Sequence, residues 1–172
     1  MDIFSHGLWG GIMFGRKNRR DFISVFIISL LPDIISFGPS FILMFLGLSV
    51  QPDWSGGPPP LSAIPSHVFA LYNVTHSFLI FFLVFLFIWA LRKKPFWPLG
   101  AWGLHILIDI PSHSFDFFPT PFLWPLSDFK INGLDWFRPV VFFPNLILLV
   151  IFYSWFLIYK KIDKIKKIDK VR

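Results

Sequence analysis

The feature that most constrains the fold of this chain is a set of apolar runs that are long enough to cross a lipid bilayer. They cover residues 22–50, 67–91, 95–112 and 139–159, and a transmembrane helix needs roughly 20 such residues. The chain is 55% hydrophobic and only 15% charged, whereas soluble domains are about 25% charged. We therefore predict an all-α fold, a polytopic membrane bundle of about four to six helices that includes short or broken ones.

Proline and glycine interrupt the first of these runs. Pro32 and the pair Gly38-Pro39 lie within residues 22–50, which predicts either two half-helices or one kinked span. The apolar segment 3–14 is too short to span a bilayer, so we expect an interfacial or re-entrant helix with Asp2 as its N-cap.

Two segments between the runs carry the residues of loops. Residues 51–66 are rich in proline and glycine and contain no lysine or arginine, which predicts a turn-rich loop on the non-cytoplasmic side. Residues 115–137 combine prolines, aromatic residues and scattered charges, which is typical of a loop at the membrane interface.

Basic residues gather at the ends of the apolar runs, in residues 16–20, 92–94 and 160–172. This distribution is typical of the cytoplasmic edges of membrane proteins, and we expect membrane lipid rather than nucleic acid as the partner. We predict one transmembrane domain over residues 1–159 and a basic cytoplasmic tail over residues 160–172. The bias toward Phe, Ile and Lys suits an AT-rich bacterium, so the expected location is the bacterial cytoplasmic (inner) membrane.

Histidines and aspartates lie within or at the ends of the apolar runs, where ionisable residues are rare and usually functional. In the stretch GLHILIDIPSHS, His105 and Asp109 are four residues apart and share a helix face, and His113 extends the same stripe. Asp33 and His76 lie in two other runs. The chain has no cysteine and no glutamate, which excludes disulfides and thiolate metal sites.

Each of these residues also has a simpler structural explanation. His105 and Asp109 would form a buried hydrogen-bonded pair, Asp33 would cap a second half-helix after Pro32, and His76 would be a buried structural histidine. Those explanations require a separate reason for each residue, whereas one metal site accounts for all of them. Imidazole and carboxylate are ligands that zinc accepts, so we expect His105, Asp109, His76 and Asp33 to converge within about 6 Å of one point.

The order of the motifs resembles a known family. The chain has an early histidine in a glycine-rich short helix, followed in order by LLPDI, THS, GLHILIDIPSHS and TPFLWPLSDF. This order is similar to that of the YdjM-like (DUF457) membrane-bound metal-dependent hydrolases. That family is itself distantly similar to zinc-dependent phospholipase C and P1 nuclease. The resemblance covers most of the chain up to about residue 130, and it implies metal ligands at His6, Asp33, His76, His105, Asp109 and His113.

The chain also departs from the soluble phospholipases, which use further histidine and glutamate ligands later in the sequence. Here no histidine follows His113 and there is no glutamate, so one or two metal ions are expected rather than three. The resemblance implies a metal-dependent hydrolase with a divalent cofactor, zinc or manganese. A site reached from the bilayer suits a lipid substrate and a phosphodiester suits a two-metal site, so we expect an integral membrane hydrolase that acts on a phosphoester or lipid. A metal ion activates water for such a reaction, and a carboxylate, Asp33 or Asp109, would accept the proton. Asp116 and Asp128 are further options for this role.

A different function fits the same residues. A buried His/Asp network also suits a small transporter or a membrane scaffold without enzymatic activity. Stoichiometric metal in the purified protein would separate the two hypotheses. We further expect residues 115–137 to fold over the outer end of the site, with Trp124 and Phe129 at the lipid boundary and Ser127 and Asp128 facing the site entrance. The alternative is an interfacial anchor without contact to the site.

Overall fold

A computed structural model describes residues 1–49 and 59–169, with side chains as far as residue 158. Over these residues the regular structure is helical, without a β-strand, which confirms the predicted all-α fold. The six α-helices of this part of the chain are α1 (Ile3–Phe14), α2 (Arg19–Phe45), α3 (Ser66–Thr75), α4 (Phe78–Arg92), α5 (Gly100–Ser112) and α6 (Pro139–Asp169).

Two helices are long and apolar enough to cross a membrane, α2 and the segment Pro139–Ile158 of α6, and this is consistent with an integral membrane protein. The predicted span 67–91 is instead divided into α3 and α4, which are bent by 55° at a short break. Together they would make a third span. The predicted span 95–112 is shorter than expected, because α5 has 13 residues and is therefore only about 20 Å long.

The helix α2 continues through both of its prolines, Pro32 and Pro39. Asn18 caps its first turn by accepting a hydrogen bond from the Asp21 N–H at 2.9 Å. The hydroxyl of Ser36 donates to the Pro32 carbonyl at 2.7 Å. The suggestion that Asp33 caps a second half-helix is therefore wrong, and a single long helix carries this residue in its middle.

The short helix α1 packs very closely against α2. Asp2 is its N-cap, as predicted, and accepts a hydrogen bond from the Ser5 N–H at 2.9 Å. Two glycines face α2: a Cβ atom on Gly7 would lie 2.5 Å from the ring of Phe26, and one on Gly11 would lie 2.3 Å from the ring of Phe22. Only glycine permits this approach, and it brings the side of α1 that carries the buried His6 into the bundle.

Residues 115–137 form an ordered loop without a helix, tied to two parts of the bundle. Near the end of the loop, the Gly133 N–H donates to the His113 carbonyl at 2.8 Å. The Trp136 N–H donates to the Ser112 carbonyl at 3.0 Å, so both bonds reach the end of α5. In its middle, the Phe122 carbonyl accepts from the Phe78 N–H at 2.9 Å. The loop is therefore held against α5 and against the α3–α4 break.

Two predicted segments lie partly outside the described residues. Of the turn-rich loop 51–66, residues 51–58 are outside them, as are the last three residues of the tail. The rest of the basic segment continues α6 to Asp169.

Candidate metal centre

Four of the predicted ligands meet at one buried point. Asp33, His76, His105 and Asp109 each offer one ligand atom, and these atoms all lie within 4.8 Å of one another. They come from α2, the α3–α4 break and α5. His76, His105 and Asp109 are almost completely buried, and the Asp33 side chain is 14% exposed. The expected convergence of these four residues is confirmed.

The two histidines of this set point their Nε2 atoms at each other. His105 Nδ1 donates to the Ser29 carbonyl at 2.7 Å, because a carbonyl oxygen only accepts. In a neutral His105 the lone pair is then on Nε2, which lies 3.0 Å from His76 Nε2. His76 Nδ1 lies 3.2 Å from the Tyr72 carbonyl and 2.9 Å from the Thr75 hydroxyl. When both Nδ1 atoms donate to carbonyls, the two Nε2 lone pairs face each other, and a cation between them removes the repulsion.

Asp109 lies at the centre of the cluster, and its two oxygens face different neighbours. Oδ2 is 3.1 Å from His105 Nε2 and 3.4 Å from His76 Nε2. Oδ1 is 2.9 Å from His6 Nε2 and 3.3 Å from His113 Nε2. One carboxylate thus joins the four-residue set to a second set of donors, and Asp109 would be a ligand shared by both sets if each held an ion.

The second set consists of His6 and His113, and the amine of Met1 lies beside them. That amine contacts Asp109 Oδ1 and lies 2.9 Å from His113 Nε2. His113 is the C-cap of α5, and its Nδ1 donates to the Phe117 carbonyl at 3.2 Å. His6 is fully buried, yet neither ring nitrogen has a hydrogen bond of acceptable geometry, despite the short approach of Nε2 to Asp109. A buried imidazole without hydrogen bonds fits a metal ligand better than a structural histidine.

Aromatic side chains from α3 and the loop support the cluster from one side. Tyr72 stacks on His76 with ring centroids 3.8 Å apart, and its hydroxyl donates to the Phe118 carbonyl at 3.0 Å. Phe118 is buried against Tyr72 and Val68. The sequence did not single out Tyr72 or Phe118, because an aromatic residue in an apolar run carries no signal that separates such support from ordinary packing.

The remaining predicted residues lie elsewhere. Asp116 and Asp128 are exposed on the loop, and Ser127 is half-buried. The expectation that Asp128 lines the site entrance is not met, because the loop residues beside the cluster are Phe117, Phe118 and Trp136. Phe129 is 60% exposed, in agreement with a lipid-facing position.

The cluster lies well away from the basic end of the helices. On α2, Asp33 is 14 residues beyond Arg19, which corresponds to about 21 Å at 1.5 Å per residue. On α1, His6 is eight residues from Phe14, or about 12 Å. Phe14 and Gly100 are in contact, so the basic ends of α1 and α5 are neighbours. If α2 crosses a hydrocarbon core about 30 Å thick, these separations would put the cluster within that core, toward the end of the bundle opposite the basic residues.

Comparisons of this chain with protein-family models, with curated proteins and with solved structures find no match. Function is therefore inferred from the chemistry of the cluster.

Proposed function

We propose that this chain is an integral membrane metal-dependent hydrolase of the bacterial cytoplasmic membrane, with its C-terminus in the cytoplasm. The observation that carries the proposal is the buried set of Asp33, His76, His105 and Asp109, whose ligand atoms lie within 4.8 Å of one another. Two carboxylates and two imidazoles cluster in this way at high cost inside a membrane unless a cation neutralises and joins them. The order of the motifs supports membership of the YdjM-like family.

Zinc suits these donors best. Zinc takes imidazole nitrogen and carboxylate oxygen in four-coordinate sites, and manganese accepts the same residues when more oxygen ligands are present. His105 also shows the support expected of a zinc ligand, because its second ring nitrogen donates to a backbone carbonyl. With Asp109 shared between the two donor sets, the cluster has room for one ion or two.

The reaction proposed is hydrolysis of a phosphoester. The bound metal supplies polarisation of the phosphoryl oxygen and a lower pKa for the attacking water. Water adds its oxygen to phosphorus, the P–O bond to the leaving alcohol breaks, and the proton lost by water ends on the alcohol oxygen. Asp33 is the more exposed of the two carboxylates, which supports its role as the group that receives this proton and passes it on. Asp109 is enclosed by histidines and acts as a ligand.

A non-enzymatic polar network is the alternative function, and the contact between Thr75 and His76 favours it. If the Thr75 hydroxyl donates to His76 Nδ1, neutral His76 carries its hydrogen on Nε2. His76 Nε2 then donates to His105 Nε2, and the two histidines are joined without a metal. A scaffold or small transporter would then use the same contacts.

Metal analysis and turnover distinguish the two functions. The detergent-purified chain should retain at least one zinc or manganese per protein and hydrolyse bis(p-nitrophenyl) phosphate, a soluble phosphodiester. Asp109→Asn should lose both properties. His67→Gln is the matched control, because His67 lies outside the cluster and bonds the Ser40 hydroxyl at 2.8 Å. A folded parent protein that retains no metal after growth in zinc would refute the hydrolase in favour of the network.

A further inference from the structure

An apolar cleft of about 460 Å³ opens beside the cluster. Asp33 and His113 of the cluster line it together with Asp2, and its walls come from α1, α2 and the loop 115–137. The apolar wall residues include Phe4, Ile34, Phe41, Phe117 and Trp136. A cleft with mostly apolar walls and a few ionisable groups beside a metal centre has the build of a site for an amphiphile.

Exposed apolar side chains line the cleft. Phe4 is 67% exposed, Phe41 is 60% exposed and Ile34 is 45% exposed, although the last two belong to the apolar helix α2 that is long enough to cross the membrane. Side chains of this kind at membrane depth face lipid chains rather than water. The opening is therefore available to a molecule that already lies within the bilayer.

The loop covers another side of the cluster. Phe118 is buried between the loop and α3, and the Tyr72 hydroxyl holds its carbonyl. The backbone of residues 133–136 is hydrogen-bonded to the end of α5. On this side the loop therefore forms a packed layer over the cluster, whereas the cleft is the open side described above.

We propose that the cleft is a lateral entrance, and that its occupant is a lipid phosphoester taken from the leaflet opposite the basic residues. The hydrocarbon chain lies along Phe4, Ile34 and Phe41, and the phosphate reaches the part of the cleft lined by Asp33 and His113. This inference rests on the proposed hydrolase, since it names the substrate class of the same metal site.

Gly38 gives a direct way to test the cleft. It lines the cleft, and a Cβ atom there would meet only the Ile34 side chain at 3.7 Å, which is an ordinary contact. Gly38→Phe therefore fills the cleft without strain in the helix, and replacement of glycine within a helix also favours the helical state. Ile34→Trp is a second filling variant. Ile27→Phe is the control, because Ile27 is a 50% exposed residue of the same helix that does not line the cleft.

The measurement is photo-crosslinking in phosphatidylcholine nanodiscs. One probe is the non-hydrolysable phosphonate analogue of phosphatidic acid with a diazirine in its acyl chain (the phosphatidic acid probe), and the other is the matching diacylglycerol, which lacks the phosphorus group. With zinc present, we expect the phosphatidic acid probe to label Phe4, Ile34 or Phe41 about tenfold more than the diacylglycerol probe, because only the former reaches the metal centre. EDTA and both filling variants should remove the difference, and Ile27→Phe should keep it.

Two results overturn the lateral entrance. One is equal labelling by the two probes, which means that bulk lipid merely fills the cleft. The other is phosphate-dependent labelling that survives in both filling variants while they retain metal.

Hydrolysis of bis(p-nitrophenyl) phosphate by the same samples separates this inference from the hydrolase. Turnover of this soluble ester without phosphate-dependent labelling refutes the entrance and leaves the hydrolase standing. Phosphate-dependent labelling in a protein that binds zinc without turnover supports the entrance and refutes the hydrolase.

Discussion

His6 of α1 stacks on His105 of α5, with ring centroids 3.7 Å apart and ring planes 23° apart. The second set of donors, which includes His6, is therefore complete only when α1 is docked in the bundle. The docking depends on glycines that face α2, since any side chain there would meet an aromatic ring. Stability of the α1–α2 contact and occupancy of the metal centre should consequently change together.

The substitution Gly11→Ala tests this coupling. Alanine is about 1 kcal/mol better than glycine in a helix interior, yet the new Cβ would lie 2.3 Å from the Phe22 ring. We expect a net loss of about 1–3 kcal/mol, as for other overpacked contacts, together with weaker zinc binding. Thermal unfolding in detergent and zinc titration measure the two effects. Addition of Phe22→Ala should restore part of the loss in Gly11→Ala, and full additivity of the two changes would contradict the steric explanation.

The two donor sets around Asp109 should respond differently to mutation. His76→Ala removes a member of the four-residue set, and zinc affinity should fall by at least about 100-fold, since loss of an outer partner alone costs 10–100-fold. His113→Ala removes only a neighbour of Asp109 Oδ1, so at least one ion should remain. Metal stoichiometry by elemental analysis checks both variants. Complete loss of metal in His113→Ala would show that the two sets are not separable.

The loop should support the cluster through its aromatic residues and not through its charge. Phe118→Ala opens a cavity beside Tyr72, which stacks on His76, and should destabilise the protein by about 3–5 kcal/mol and lower metal retention. Asp128 is exposed, so Asp128→Asn should leave metal retention and turnover unchanged. Phe129→Ala, at a 60% exposed position, is the control for loss of a ring. Loss of metal in Asp128→Asn would restore a role for its carboxylate at the entrance.

The orientation in the membrane follows from the basic segments. We expect residues 16–20, 92–94 and the tail in the cytoplasm and residues 51–66 outside. The chain has no native cysteine, so single cysteines at Ser55 and Lys167 can be labelled with a membrane-impermeant maleimide in intact and opened cells. Ser55→Cys should react in intact cells and Lys167→Cys only after opening. Labelling of both from the same side would contradict this topology.

The sequence by itself determined the helical class and most of the cluster. Lipid cannot satisfy backbone polar groups, so long apolar runs must become helices, and the unfavourable placement of Asp33, His76, His105 and Asp109 in such runs marks them before any fold is known. The four-residue spacing of His105 and Asp109 also determined that they share a face.

Only the tertiary structure decided where the helices end and how the ligand sets divide. Proline removes one helical hydrogen bond, and only the structure shows that α2 nevertheless continues through Pro32. A run such as 67–91 can likewise be straight or bent at His76 with the same hydropathy. Contacts between distant segments produce three further features. They are the different neighbours of the two Asp109 oxygens, the stacking of His6 on His105 and the cleft beside Asp33. Local periodicity carries no information about such contacts, because they depend on the relative positions of whole helices.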